Sequence, residues 1–223
     1  MAELGFARKK IKNAARVIFI TGAGMSVDSN IRSFRGSGGF WNSSFLILLF
    51  FGTSFGWRWF PSLCWNYFYD HFYEPIKVAN PHEGYLLLSE FQKQKPTTIL
   101  TMNVDGLHKK AGNENVIELH GNVHRPLCNS VRKRCYRSPL AKTMAKKLRC
   151  PSCGGTPRPD VVLFQEELPD EEWIMAQDLI SDLTQEDVVI IIGTSGTVSP
   201  TRELLEHIVE NTFASSIEIN TQK

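Results

Sequence analysis

The chain has 223 residues, 42% of them hydrophobic and 22% charged, a globular balance that excludes a disordered chain, a collagen-like repeat and a disulfide-stapled miniprotein. Its longest apolar run, residues 45–51, is far short of the roughly 20 residues that span a bilayer, so a soluble protein with no membrane partner is expected. The net charge of +2 conceals an uneven distribution: residues 128–153 carry eight cations (Arg132, Lys133, Arg134, Arg137, Lys142, Lys146, Lys147, Arg149) and no acid, against 17 cations and 23 acids elsewhere.

At the N-terminus Leu4, Ile11, Ala14 and Ala15 recur at helical spacing and lead straight into the apolar run 17–20. A helix of the fold is expected there rather than a presequence, since neither a hydrophobic signal region nor a small-residue cleavage site is present. The five cysteines are accordingly expected in a reducing, intracellular compartment, cytoplasmic or nuclear, where the pattern Asn42-Ser43-Ser44 is a chance match to a glycosylation signal. Three short β-branched runs, 17–20, 97–101 and 188–192, each precede small or polar residues, as buried parallel strands do at the ligand-binding edge of an open α/β sheet. Helical patterns lie between them at 85–91 and at 171–183, the second with Trp173, Ala176, Leu179, Ile180 and Leu183 on one face. The expected architecture is α/β, a Rossmann-like parallel-sheet domain interrupted by an aromatic-rich stretch and by the cysteines. The sheet domain is expected from 1–41, 81–120 and 158–223. Two insertions, a helical one at 42–80 and a zinc-binding one at 121–157, would make the smaller domain.

Several segments carry chemistry. Gly22-Ala23-Gly24-Met25-Ser26 follows a strand, where glycines permit a tight turn, with or without a phosphate approaching the backbone. Arg35, in Phe34-Arg35-Gly36, is either a surface residue or a bidentate partner for a pyrophosphate. Asn103 and Asp105 stand two apart after the second strand, a spacing found in ordinary turns and also suited to reading a carboxamide, Asp accepting its N–H and Asn answering its carbonyl. His120 closes an apolar stretch before Gly121 and is either structural or a proton acceptor for a hydroxyl. Cys150-Pro151-Ser152-Cys153-Gly154-Gly155 reads as a zinc knuckle, with Cys128 and Cys135 as the second thiolate pair in a closed structural site. A metal-free reduced cluster is the other reading. The cations around it either balance thiolates on a solvated face or attract an acidic partner.

In joint order these segments resemble the sirtuin (Sir2) family of NAD-dependent protein-lysine deacylases. They continue through Gly39-Phe40-Trp41, Asn103-Val104-Asp105-Gly106-Leu107-His108, Ala111-Gly112, His120-Gly121, the cysteines, Arg158-Pro159-Asp160-Val161-Val162-Leu163-Phe164, Gly193-Thr194-Ser195, Val198, Pro200 and Glu218-Ile219-Asn220. The resemblance implies NAD and an acyl-lysine peptide in a cleft between the two domains. It implies that Gly22, Ala23, Gly24, Ser26 and Arg35 hold the phosphates and adjoining ribose, Phe34 covers the nicotinamide end, Met102 stands beside the ribose, and Asn103 and Asp105 receive the carboxamide. Gly193, Thr194, Ser195 and Asn220 would face the adenosine half, and Val161, Val162 and Phe164 the substrate strand. By the same implication His120 takes a proton from the ribose. The products are nicotinamide, O-acyl-ADP-ribose and free lysine.

The chain departs from the family's pattern where Asn30-Ile31-Arg32 replaces Gly-Ile-Pro, Met102 replaces a glutamine and Gln165 replaces a glycine. Only three residues follow Asn220, from which a weakened adenine half is expected. Relatives that remove acidic acyl groups hold them with a Tyr and an Arg three residues later; Phe68 and His71 align there, so an uncharged acyl group, acetyl first, is expected. A histone-like acyl-lysine protein is an expected partner and direct nucleic-acid binding is not. The competing readings are an NAD glycohydrolase or ADP-ribosyltransferase on the same cleft, and a non-catalytic NAD or acyl-lysine binding module.

Overall fold

The computed structural model of the chain describes residues 2–32, 50–129, 131–134, 149–196, 199–211 and 213–220. Seven strands run through the described residues: β1 Val17–Thr21, β2 Thr97–Thr101, β3 Val116–Glu118, β4 Gly121–Cys128, β5 Pro157–Val161, β6 Val188–Ile192 and β7 Ser215–Ile219. Five of them form one parallel sheet in the order β3-β2-β1-β6-β7, with Val17 of β1 level with Thr97 of β2 on one side and Val188 of β6 on the other. The order reverses at β1, and a reversal of this kind opens a crevice at the carboxyl ends of the central strands. The α/β class expected from the sequence is therefore observed.

Alternation along β1 divides the core between the two faces. Ile18 and Ile20, with Leu100 and Val189, pack against Ala176 and Ile180 of the helix Asp170–Ser181 and against Leu204 and Ile208 of the helix Ser199–Asn211. Val17 and Phe19, with Ile99 and Ile190, pack against Tyr85 and Leu88 of the helix Glu83–Gln94, where Phe19 meets Phe91 edge-on at 5.6 Å. Both faces are covered, which is why these strands read as continuous apolar runs.

The N-terminal helix, Ala2–Asn13, forms as expected, but its apolar face does not pack as a whole: Leu4 is 72% exposed and Ala15 is exposed, and only Ile11 and Ala14 join the core. The helix is held at its C-terminal end, where the Lys95 ammonium donates to the Lys12 and Ala14 carbonyls and so caps groups the helix itself cannot satisfy.

The aromatic-rich stretch folds into three short helices, Ser54–Trp59, Pro61–Phe68 and Glu74–Val78, with a π-turn at Tyr69–Tyr73. Pro61 opens the second helix, and the π-turn rotates the faces of its neighbours, so no single period runs through the sequence. Trp57, Trp65 and Phe68 pack edge-on at 5.4–6.1 Å, and the Trp65 indole donates at 2.9 Å to the Pro157 carbonyl of β5. β4 and β5 form an antiparallel ribbon with Gly121 opposite Val161 and Cys128 opposite Pro157. No helix among the described residues is long and apolar enough to cross a membrane.

Candidate active site

The loops that follow β1 and β6 meet backbone to backbone. The Gly24 amide donates to the Gly193 carbonyl at 2.8 Å, and a methyl group on Gly22 or Gly24 would lie 2.7–2.8 Å from Gly193 atoms. Gly193 also holds φ +61°, and a Cβ there would sit 2.5 Å from the Met25 nitrogen. These glycines are thus demanded by the junction of two loops, whether or not a phosphate lies above them. The Asn220 amide donates to the Thr194 carbonyl at 3.0 Å, so Gly193, Thr194 and Asn220 come together beside this junction, with Ser195 next in the same loop.

Ala23 and Ser26 lie on the 3-10 turn Ala23–Ser29 that follows β1. A narrow cavity there is lined by Ala23, Ser26, Ile31, Asn103, Val104 and Asp105. Ser26 donates its hydroxyl to Asp105 Oδ2 at 2.6 Å, while Asn103 Nδ2 donates to Ser26 at 3.0 Å and to the Gly22 carbonyl at 2.9 Å. Both amide hydrogens of Asn103 are therefore spent, and Oδ1 is the atom left to offer. This differs from the expectation that Asn103 answers a carbonyl: it presents an acceptor. Asp105 Oδ1 accepts the Leu107 amide at 2.9 Å, and its main-chain carbonyl accepts His124 Nε2–H at 3.0 Å. Burial pushes the Asp105 carboxyl above its ordinary range, against the pull of Ser26 and the Leu107 amide.

His120 stands half-buried between β3 and β4, with Nδ1 at 3.1 Å from the Met102 carbonyl. A carbonyl only accepts, so Nδ1 carries the hydrogen and Nε2 keeps its lone pair. Burial lowers the His120 pKa, partly offset by that hydrogen bond, so the ring is a neutral base at neutral pH. The Met102 side chain itself lies in the core with Ile20 and Leu119 rather than at the crevice; its part is the carbonyl. The Val162 amide donates to the His120 carbonyl at 3.0 Å, and the Phe164 amide donates to Gly52 at 2.7 Å. Val161, Val162 and Phe164 thus run from the imidazole segment to the helical stretch, with Phe164 46% exposed.

Phe68 is buried in the helical core, and His71 is exposed, its ring tilted by 43° against Tyr67 at 4.4 Å. Neither lines the crevice cavity. The thiols of Cys128, Cys150 and Cys153 lie within 4.8 Å of one another, at the end of β4 and on the knuckle turn, where the Gly154 amide closes onto the Cys150 carbonyl at 2.8 Å. Three converging soft donors suit zinc. Phe34, Arg35 and Cys135, and with them Gly39-Phe40-Trp41, Val198 and the Asn42-Ser43-Ser44 match, lie outside the described residues. Of the basic stretch, Arg134 is not merely solvated: it donates to Asp160 at 2.6 Å and to Glu172 at 2.8 Å, an ion pair inside the chain.

The Sir2 family profile matches residues 22–200. The chain belongs to the Sir2 family. It is 37% identical over 224 residues to an NAD-dependent protein deacylase of Pyrococcus furiosus, covering 98% of this chain and 87% of that one, and 36% identical over 210 residues to one of Aquifex aeolicus, covering 93% and 84%. Among solved structures it resembles a Sir2 homologue–NAD complex (TM-score 0.80, 29% identity, 98% of this chain and 83% of that one) and a Sir2–p53 peptide–NAD+ complex (TM-score 0.79, 25% identity, 99% and 87%).

Two departures from the Sir2 pattern are absorbed by the backbone. Asn30 and Gln165 stand where the pattern has glycine, and both adopt left-handed φ, +60° and +66°. Tyr85 and Arg158 were placed by the sequence on a helix and in the peptide segment, but their part at the site, with that of His124, was not read: Tyr85 meets Ser26 Oγ at 2.9 Å, His124 donates to the Asp105 carbonyl at 3.0 Å and Arg158 to the Val161 carbonyl at 2.7 Å. Their signal, a buried aromatic hydroxyl, an imidazole near a turn and a buried guanidinium, exists only once the chain is folded.

Proposed function

We propose that this Sir2-family chain is an NAD-dependent protein deacylase, with His120 as general base. One observation carries this reading: the imidazole spends Nδ1–H on the Met102 carbonyl and keeps a basic Nε2, while its own carbonyl holds the Val162 amide of the expected peptide-binding strand. A proton acceptor and a substrate-aligning segment are thereby locked together, as acyl transfer requires and simple NAD hydrolysis does not.

NAD, when bound, supplies an electrophilic ribose carbon with nicotinamide as its leaving group. The residues that would hold it are Gly22, Ala23, Gly24 and Ser26 at the phosphates, Asn103 and Asp105 at the carboxamide, and Gly193, Thr194, Ser195 and Asn220 at the adenosine half; Phe34 and Arg35 belong to the same proposal. Asn103 Oδ1 and the Asp105 carboxylate orient that end by accepting hydrogen bonds. His120 Nε2 then takes a ribose hydroxyl proton. Val161, Val162 and Phe164 align the peptide. Zinc, held by Cys128, Cys150 and Cys153 with Cys135 as fourth ligand, has a structural part only.

The finer substrate is proposed as an acetylated, histone-like lysine, because Phe68 and His71 stand at the positions where relatives that remove acidic acyl groups carry a Tyr and an Arg, and an imidazole is a poor substitute for a fixed guanidinium. The division into a sheet domain (1–41, 81–120, 158–223) and a smaller domain (42–80, 121–157) belongs to the same reading. So does a reducing compartment, cytoplasm or nucleus, suited to the thiol cluster.

Incubation with NAD and acetyl-, succinyl- or malonyl-lysine peptides, following nicotinamide and free lysine together, tests this. Both products are expected, fastest with acetyl, and His120→Ala should lower lysine release by at least about 100-fold. Nicotinamide alone would indicate the glycohydrolase or transferase reading, and neither product a binding module.

A further inference from the structure

We propose that Tyr85 is a positioning residue for the nicotinamide end of the crevice, its buried hydroxyl dictating the direction in which Ser26 hydrogen-bonds to Asp105. The proposal rests on the NAD-dependent reading. Tyr85 is fully buried at the start of the helix Glu83–Gln94, its ring edge-on to His82 at 5.0 Å and to His108 at 4.7 Å. Its hydroxyl lies 2.9 Å from Ser26 Oγ.

A serine hydroxyl has one hydrogen and two lone pairs. The hydrogen goes to the Asp105 carboxylate at 2.6 Å, and one lone pair accepts Asn103 Nδ2–H at 3.0 Å. The remaining lone pair must accept from Tyr85, so the phenol donates. It keeps its proton to do so, since burial and then the Asp105 charge raise its pKa above the ordinary value. With both lone pairs filled, Ser26 can only donate to Asp105. That donation favours the Asp105 carboxylate, against the burial that raises its pKa.

Without the Tyr85 hydroxyl, Ser26 has a vacant lone pair and can turn to accept from a protonated Asp105. The acid form then gains a partner, and Asp105 protonates at higher pH. The other groups facing Asp105 are unchanged by that loss. His124 from β4 donates to its carbonyl and favours the charge, Glu118 from β3 opposes it, and the Leu107 amide bonds Oδ1. His108, beside Tyr85, is kept neutral by burial, which lowers its pKa to about 3, and His82 donates Nε2–H to the Met25 carbonyl at 2.7 Å.

Tyr85→Phe preserves the ring and removes the hydroxyl. Calorimetry on wild type and variant between about pH 5 and 8 would measure affinity for NAD and for ADP-ribose, which lacks the nicotinamide. The variant is expected to bind NAD about 5- to 10-fold more weakly at neutral pH, with ADP-ribose within about twofold. Its acid-side loss of NAD affinity should begin at higher pH than in wild type. In a Ser26→Ala background the same change should alter NAD affinity by less than about twofold, because the effect passes through Ser26. Equal loss of NAD and ADP-ribose affinity, or an unchanged NAD affinity and pH profile, would overturn the proposal. Wild-type protein that binds neither ligand would overturn the NAD reading, and this proposal with it. If near-UV circular dichroism shows the variant unfolded, Ser26→Ala alone decides: NAD affinity unaffected by it would equally remove the relay.

Discussion

Gln165 is exposed and holds φ +66°, a conformation that costs an L-residue about 1–2 kcal/mol and glycine almost nothing. Part of that cost is offset by the entropy a glycine would add to the unfolded chain. Gln165→Gly should therefore stabilise the protein by about 0.5–1 kcal/mol, seen as a rise in melting temperature on the order of 2 °C. A fall would mean that the side chain contributes more than its backbone costs. The same conformation at Asn30 is milder, because asparagine tolerates the left-handed region better than most residues. Residue identity alone therefore overstates what the missing glycines do: at both positions the backbone takes the left-handed conformation that a glycine would adopt freely.

Among the elements, the segment after β5 depends on a buried ion pair. Arg158, with no exposed surface, donates to both oxygens of Glu166 at 2.7–2.8 Å, to Asn129 Oδ1 at 2.9 Å and to the Pro159 and Val161 carbonyls, while Glu166 accepts the Leu163 amide at 3.0 Å. Arg158→Met strands the Glu166 charge and should cost about 3–5 kcal/mol in denaturant unfolding. Adding Glu166→Leu should recover much of it, since the carboxylate is then no longer buried unpaired. No alternation marks this stretch in the sequence. β5 is Pro157-Arg158-Pro159-Asp160-Val161, whose prolines and charges argue against a strand, and β4 contains Pro126 at a break in register. β1, β2 and β6 were legible because both their faces are buried. β4 and β5 were not, because Arg158 and Asp160 are buried by pairing rather than by being apolar. The insertion at 42–80 was expected to be helical, but its separate helices at 54–78 were not legible, because they are short and a π-turn breaks their period.

Across the whole molecule the candidate site draws on segments far apart in sequence. Its members were legible as separate motifs, and their joint order carried the family. What could not be read was direction: which atom of Asn103 faces the crevice, which tautomer His120 adopts, and that Met102 serves through its carbonyl. These follow from acceptors such as the Gly22 and Met102 carbonyls, which only the fold brings near. The thiol cluster makes a prediction at this scale. Protein purified without chelator should contain about one zinc per chain by elemental analysis, and its removal should lower the melting temperature by on the order of 10 °C, because the knuckle and the end of β4 lose their common tie. Cys135→Ser should reproduce most of that loss; full zinc content in the variant would rule Cys135 out as a ligand.

The contact between Gly24 and Gly193 ties together two loops about 170 residues apart. During synthesis the first loop leaves the ribosome long before its mate exists. If this junction seats NAD as proposed, the seat has no partial form, and affinity for the dinucleotide should be acquired in one late step, when β6 slides in beside β1.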